Sequence, residues 1–500
     1  MATVGDRDDE TLSQVDPRSP SERFELAVLA TLTVGLVALA LYAASPLRTR
    51  FGASLVAILS FVLAPVLFPR VRARLDAPLC PINWVLLVFM FQLVIDPLLL
   101  CYSGPFINTL PALPGDGAIN ASLLVSVLAW VAFVAGVEIS WRWRPAPPRY
   151  VRKLMARSRP QFSDRRLIAA FALAGLVGLG LAFHSPGALL EYFRSASGHV
   201  GFENNTRNSG LVQSVSVLLR PFLASALVIL WCGWVDRRPH DHRLALRTLA
   251  IAVLVLLASA TYSYNRATAV APLVAMAAVY GLRVIRLRVW VLALVAVLAL
   301  GGLTFARAYR NSHFTVAQLV TSSHARHTVL DNVSLNREIQ IYTSAPQFLG
   351  YLLERTGWGH DPHYGRTMLS SLMFPVPRLG APFRATSGLE IYNHLIYGAQ
   401  STDTDQVTPF QGELFLDFAL PGVMIGYALL ALAVGWLQRG FEQAKSAFGL
   451  FAWQYVATWL ALLVIGSLAV FSQVALYFFW PIAVYGLLRS RPTLPLRAVA

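Results

Sequence analysis

Stretches of about twenty residues almost free of charge recur along the whole of this 500-residue chain. That recurrence constrains the fold more than any other feature, because each stretch is long enough to cross a hydrocarbon core of ~30 Å as a helix. Twelve such segments stand out, near residues 25–44, 51–69, 83–103, 119–141, 166–184, 211–235, 244–263, 267–284, 289–306, 413–437, 450–470 and 472–488. The chain is 56% hydrophobic and only 13% charged, with mean hydropathy +0.55. A water-soluble globule cannot hide that much apolar surface, whereas a polytopic membrane protein need not. The expected fold is therefore all-α and polytopic, with about 12 transmembrane helices in one membrane domain. The expected organisation is a cytoplasmic tail at 1–24, membrane helices 1–9 over 25–306, a large outer region of short helices at 307–412, membrane helices 10–12 over 413–488, and a second tail at 489–500.

The net charge of +15 is carried almost wholly by arginine, with lysine only at Lys153 and Lys445. The arginines fall in every second short loop: Arg70, Arg72 and Arg74 after the second segment, Arg237, Arg238 and Arg243 after the sixth, Arg283, Arg286 and Arg288 after the eighth. This is the positive-inside pattern, and it predicts that both termini are cytoplasmic. No basic stretch interleaves with aromatics as a base-stacking platform would, so a nucleic-acid partner is not expected. The stretch WRWRPAPPRYVRKLMARSRPQFSDRR after the fourth segment reads as a topology signal or as a contact for anionic headgroups of the membrane lipids. The acidic N-terminus lacks the basic start and early apolar core of a cleaved leader. Cys80, Cys101 and Cys232 match neither a zinc nor a redox spacing and read as apolar filler.

Charges inside apolar segments are costly and normally face a cavity or a partner. Asp96 and Arg220 are such charges, and each precedes a proline that bends its helix, Pro97 and Pro221. They read either as a structural ion pair or as ligand-binding groups. The outer segments supply further arginines: Arg207 in the smaller loop, Arg266 at the turn between the seventh and eighth segments, and Arg310, Arg378 and Arg384 in the large region. A guanidinium matches phosphate oxygens with a fork of donors, and nearby His394 or a carboxylate could serve as general base. Such a set suits a lipid diphosphate at the membrane surface. His360 and His363 stand beside no paired carboxylate, and Asp403 with Asp405 reads as turn residues, so no metal is expected. In TPFQGELFLDFALPG, Glu413 and Asp417 lie one helical turn apart at the mouth of the tenth segment and hence on one face. A helix N-terminus favours a carboxylate at Glu413, but accounts less well for Asp417, a turn deeper.

The stretch FPVPRLGAPFRATSGLEIYNHLIYGAQSTDTDQVTPFQGELFLDFALPGVMIGY resembles the C-terminal outer segment of bacterial oligosaccharide repeat-unit polymerases, the O-antigen polymerase (Wzy-like) group. The residues that carry the resemblance are Pro377-Arg378, Glu413, Phe418, Gly422 and Gly426. YNRATAVAPLVAMAAVY is similar to the family's arginine-bearing turn, with Arg266 in the arginine's place, and FRSASGHVGFENNTRNSG to its smaller outer loop. Relatives often have a glycine after the aromatic, where this chain has Ala419. The resemblance implies a GT-C-type glycosyltransferase of the bacterial cytoplasmic membrane that polymerises undecaprenyl-diphosphate-linked oligosaccharides without a cofactor. It leaves open a chain-length regulator as partner. The implied roles are a diphosphate clamp at Arg207, Arg266 and Arg378 with Arg310 and Arg384 in reserve, a base at Glu413 or His394, a lipid groove shaped by Asp96 and Arg220, and Asp417 orienting an arginine. Glu413 and Asp417 are then expected to face the outer aqueous cavity. An O-antigen ligase type, a transporter or flippase of lipid-linked sugars, and a non-catalytic scaffold are the competing readings.

Overall fold

The computed structural model describes residues 20–72, 74, 77–105, 112–143, 165–183, 185–189, 210–239, 241, 243–260, 266–285, 301, 304–305, 308–309, 312, 314, 316–333, 345–374, 386–398, 408–475 and 479–489. Among these residues every regular element is a helix. In chain order the first nine are α1 (Pro20–Ala44), α2 (Ala53–Leu67), α3 (Pro81–Ser103), α4 (Asp116–Trp143), α5 (Arg165–Ala182), α6 (Gly210–Leu219), α7 (Pro221–Arg237), α8 (Leu244–Ala260) and α9 (Arg266–Arg283). The outer region holds α10 (Val316–Thr321), α11 (Ser323–Asp331), α12 (Ala345–Thr356), α13 (Arg366–Leu372) and α14 (Gly388–Tyr397). The C-terminal part is α15 (Phe410–Glu442), α16 (Ala447–Leu463), α17 (Leu468–Val474) and α18 (Trp480–Arg489).

Six of the described helical stretches are long and apolar enough to cross a membrane, in α1, α3, α4, α5, α15 and the run Val215–Arg237 through α6 and α7, and α2, α8, α9 and α16 hold shorter apolar helices. The chain is thus a membrane-embedded helical protein. Most of the segment expected at 289–306 lies outside the described residues, of which 301, 304 and 305 are helical. The segment expected over 450–470 differs from the structure: α16 stops at Leu463, the chain turns over 464–466, and α17 starts at Leu468. The cause is local: the hydroxyl of Ser467 accepts from Val470 N and starts a new helix inside the apolar run.

The centre of the fold is the crossing of α4 with α15. Small residues let the two backbones approach, as is common where helices pack in lipid. A Cβ placed on Gly136 would meet Ala431 Cβ at 2.7 Å, and one on Gly435 would collide with Ser140. Around this crossing the rings of Phe61, Phe89, Trp130 and Phe133 cluster, with Trp130 stacked on Phe133 and the other pairs tilted, and Phe89 continues the cluster to Tyr427 at 6.1 Å. The arginine-rich end is fastened by polar bonds. Arg439 Nη1 donates to Ser140 O at 2.9 Å, Gln438 Oε1 accepts from Ile82 N at 3.1 Å, and Asp236 Oδ1 accepts from Ala447 N at 2.8 Å. Arg70 pairs with Glu138 at 3.1 Å, and Arg74 with Glu442.

Candidate functional site

The site is built on a fold-back in α15. Ala419 has φ 53° and ψ −152°, so the helix breaks there into an arm, 410–418, and a stem, 420–442. In one straight helix Phe410 and Tyr427 would lie about 25 Å apart; here their rings are 5.7 Å apart. The arm therefore lies alongside the stem and starts at the level of Tyr427, roughly 10 Å down from Leu420 at 1.5 Å per residue. Two glycines make room for it. A Cβ on Gly422 would sit 2.5 Å from Phe418 Cβ, and one on Gly426 would sit 2.5 Å from Leu414 Cδ1.

A second break faces the arm. Tyr427 Oη donates to Val464 O at 3.1 Å, which sets the end of α16 at the same level. The N-terminus of α17 opens just beyond it, and the first backbone donors of any helix need outside acceptors. Glu413 supplies one: its Oε2 accepts from Leu468 N at 2.7 Å. Its Oε1 accepts from the hydroxyl of Ser371 in α13 at 3.0 Å. The start of α14 closes over the carboxylate, since a Cβ on Gly388 would come within 2.7 Å of Glu413 Cγ.

Asp417 does the same for α13. Its Oδ1 and Oδ2 accept from Thr367 N at 3.2 Å and Met368 N at 2.8 Å. The chain before α13 is tied to the arm's backbone, with His363 N donating to Leu416 O and Tyr364 N to Asp417 O, both at 3.0 Å. Ser472 in α17 completes the set by donating to Ser371 O at 2.7 Å. Two carboxylates one turn apart thus hold the starts of two different short helices against one arm.

Both carboxylates are fully buried, which corrects the expectation that they face an aqueous cavity. Among the described residues the Asp417 carboxylate binds backbone donors rather than an arginine. His360 lies beside the arm, with its ring nitrogens 3.2 Å from Gly357 O and 3.3 Å from Leu416 O. His394 is half-buried on α14, whose Gly388 end covers Glu413. Asp96 is fully buried and follows a π-helical turn, Phe91–Ile95, in which Asp96 N donates to Phe91 O. Arg220 is buried between α6 and α7, with its backbone against Gly178. These two charges belong to different helix groups: Asp96 to the part of α3 that packs on α2 and α1, Arg220 to the α5–α7 group. Arg266 opens α9. Arg207, Arg310, Arg378 and Arg384 lie outside the described residues, as do Asp403 and Asp405.

Sequence reasoning missed Ser371, Ser467 and Leu468, which complete the Glu413 site. One signal was present: GS at 466–467 inside an apolar run, followed by helix formers, is a start signal. Among the described residues no three metal-ligating side chains cluster. Comparison of the chain with family models, with curated proteins and with solved structures finds no match.

Proposed function

We propose that this chain is a GT-C-like membrane glycosyltransferase that polymerises oligosaccharide units carried on undecaprenyl diphosphate, at the outer face of a bacterial cytoplasmic membrane. The observation that carries the reading is the fold-back of α15. Glu413, Phe418, Gly422 and Gly426, which carry the sequence resemblance, all meet in this one element. A loosely spaced pattern thereby corresponds to one physical object, an arm packed along a stem beside a broken helix. Irregular backbone at such a depth is tolerated where protein covers it or where it lines a cavity, and a lipid-linked substrate must be handled at that depth.

In this reading the arginines 207, 266 and 378, with 310 and 384, stabilise the leaving diphosphate, the electrostatic term that usually dominates such transfers. The acceptor hydroxyl loses its proton to His394, while Glu413 and Asp417 position the short helices around the acceptor site. Asp96 and Arg220 shape the groove for the carrier lipid. Arginines carry the charge, so the reaction is written without a metal or cofactor. A chain-length regulator would be a protein partner.

The size profile of carrier-linked glycans in cells lacking this gene tests the proposal. Single units accumulating on the carrier, with long chains lost, is the expected result. Long chains that form but stay on the carrier would identify a ligase instead. An unchanged profile would remove the enzyme reading and favour transport or scaffolding.

A further inference from the structure

Helix α13 is inside out. Its buried residues are Thr367, Ser370 and Ser371, and its exposed ones are Arg366, Leu369 and Leu372, spaced three apart on one face. Leu369 is 60% exposed and Leu372 52%. In water this arrangement is unfavourable twice over, because the polar face needs partners and the apolar face stays wet. In hydrocarbon it is the favourable one: the hydroxyls are turned inward, where Ser371 bonds Glu413, and the leucines meet lipid.

Two more observations fix the depth and the occupant. Asp417 holds the start of α13, and Glu413, one turn further down the arm, holds Ser371 near its end. The helix therefore descends beside the arm, from the level of the kink toward the level of Tyr427. The stem is about 35 Å long at 1.5 Å per residue, so one hydrocarbon thickness reaches nearly from its top to its bottom. The exposed face of that stem includes Met424, Ile425 and Leu429. Phe418, also exposed, joins this face to α13, because a Cβ on Gly365 would lie 3.2 Å from its ring. The apolar surface of α13 is thus continuous with the lipid-facing surface of a membrane-crossing helix.

We propose that α13 dips into the leaflet that the Leu420 end of the stem enters, with Leu369 and Leu372 against phospholipid acyl chains and Arg366 at the headgroup level. The sequence reads 307–412 as an outer region; this part of it is re-entrant. The inference rests on the inside-out helix and the membrane-embedded fold, and it stands whether or not the chain transfers sugars.

The test uses the full chain in phosphatidylcholine vesicles, with a nitroxide on Leu369→Cys or, separately, Leu372→Cys. The native cysteines Cys80, Cys101 and Cys232 are buried and shielded from the label. Ile425→Cys serves as the lipid-facing reference and exposed Asp331→Cys as the aqueous one. Relaxation by oxygen several-fold stronger than by a water-soluble nickel chelate, matching position 425, is the expected result. Nickel-dominated relaxation matching position 331 would overturn the proposal. So would a label reached by neither reagent and coupled to a label on another copy, since a second chain would then cover the helix. A measurement on the unsubstituted chain does not depend on the variants folding: phosphatidylcholine carrying an acyl-chain diazirine should give adducts in the 366–372 peptide. Adducts on the stem at 424–429 with none on 366–372 would overturn the proposal as well.

Discussion

Leu414 packs on Gly426: a Cβ at position 426 would lie 2.5 Å from Leu414 Cδ1 and 2.6 Å from Cδ2, although the two residues would be about 18 Å apart in an unbroken helix. Gly426→Ala must therefore push the arm away or force Leu414 off its rotamer. Overpacking of this kind costs ~1–3 kcal/mol. Leu414→Ala removes the colliding methyls, so the double variant should lose less than the sum of the two single losses. A thermal-shift cycle in detergent measures this. Additive losses would mean that the arm does not rest on the stem there.

Ala419 occupies a backbone region with φ 53° and ψ −152° that side chains rarely adopt. Holding a residue there costs ~1–3 kcal/mol, partly offset by the greater freedom that glycine has in the unfolded chain, ~0.5–1 kcal/mol. Ala419→Gly should accordingly stabilise the protein by about 1 kcal/mol and raise its melting temperature, while Ala419→Val should lower it. A lower melting temperature for the glycine variant would contradict the kink.

Much of the architecture was legible in the sequence because lipid simplifies the problem. A spanning helix must satisfy its own backbone, so length and hydropathy mark α3, α4, α5 and the α6–α7 run close to their observed places. The breaks were less legible for the same reason. An apolar run reads alike whether the helix continues or stops, so α16 and α17 merge with their surroundings by hydropathy. Hydropathy likewise runs straight through Ala419, which the resemblance marked only as a missing glycine. The face shared by Glu413 and Asp417 followed from their spacing. Their partners did not, because Ser371, Thr367, Met368 and Leu468 come from 40 or more positions away, and no local pattern announces such pairing.

Asp417 accepts from two backbone donors that would otherwise be orphaned at the start of α13. Asp417→Ala should free both, at ~1–2 kcal/mol for a lost cap and ~1–3 kcal/mol for a buried donor left unpaired. Amide exchange at Thr367 and Met368 should rise sharply in this variant, whereas amides in the stem beyond Tyr427 should keep their protection. Asp417→Asn keeps one acceptor oxygen and should fall between the two. Unchanged exchange at 367 and 368 in the alanine variant would show that the carboxylate does not hold the helix.

If arginines carry the leaving diphosphate, their loss should lower polymer length without lowering stability. Arg378→Ala and Arg266→Ala should each shorten the surface glycan and leave the melting temperature within about 1 °C of the parent. His394→Gln should do the same if the imidazole takes the acceptor's proton. A full-length glycan in all three variants would send the clamp and base assignments elsewhere in the outer region.

Glu413 separates a positioning group from a base. Its two oxygens accept from Leu468 N and the Ser371 hydroxyl, and it is fully buried. Glutamine is nearly isosteric, can still accept from Leu468 N through its carbonyl, and can donate its amide toward Ser371. Glu413→Gln should therefore keep the fold and most of the polymer, costing about 1 kcal/mol for one altered bond. Glu413→Ala leaves the start of α17 and the Ser371 hydroxyl without their acceptor, and should lose stability and polymer together. The two variants are scored side by side, by melting temperature and by glycan length. A glutamine variant as stable as the parent yet without long chains would make Glu413 the base and return His394 to a structural part.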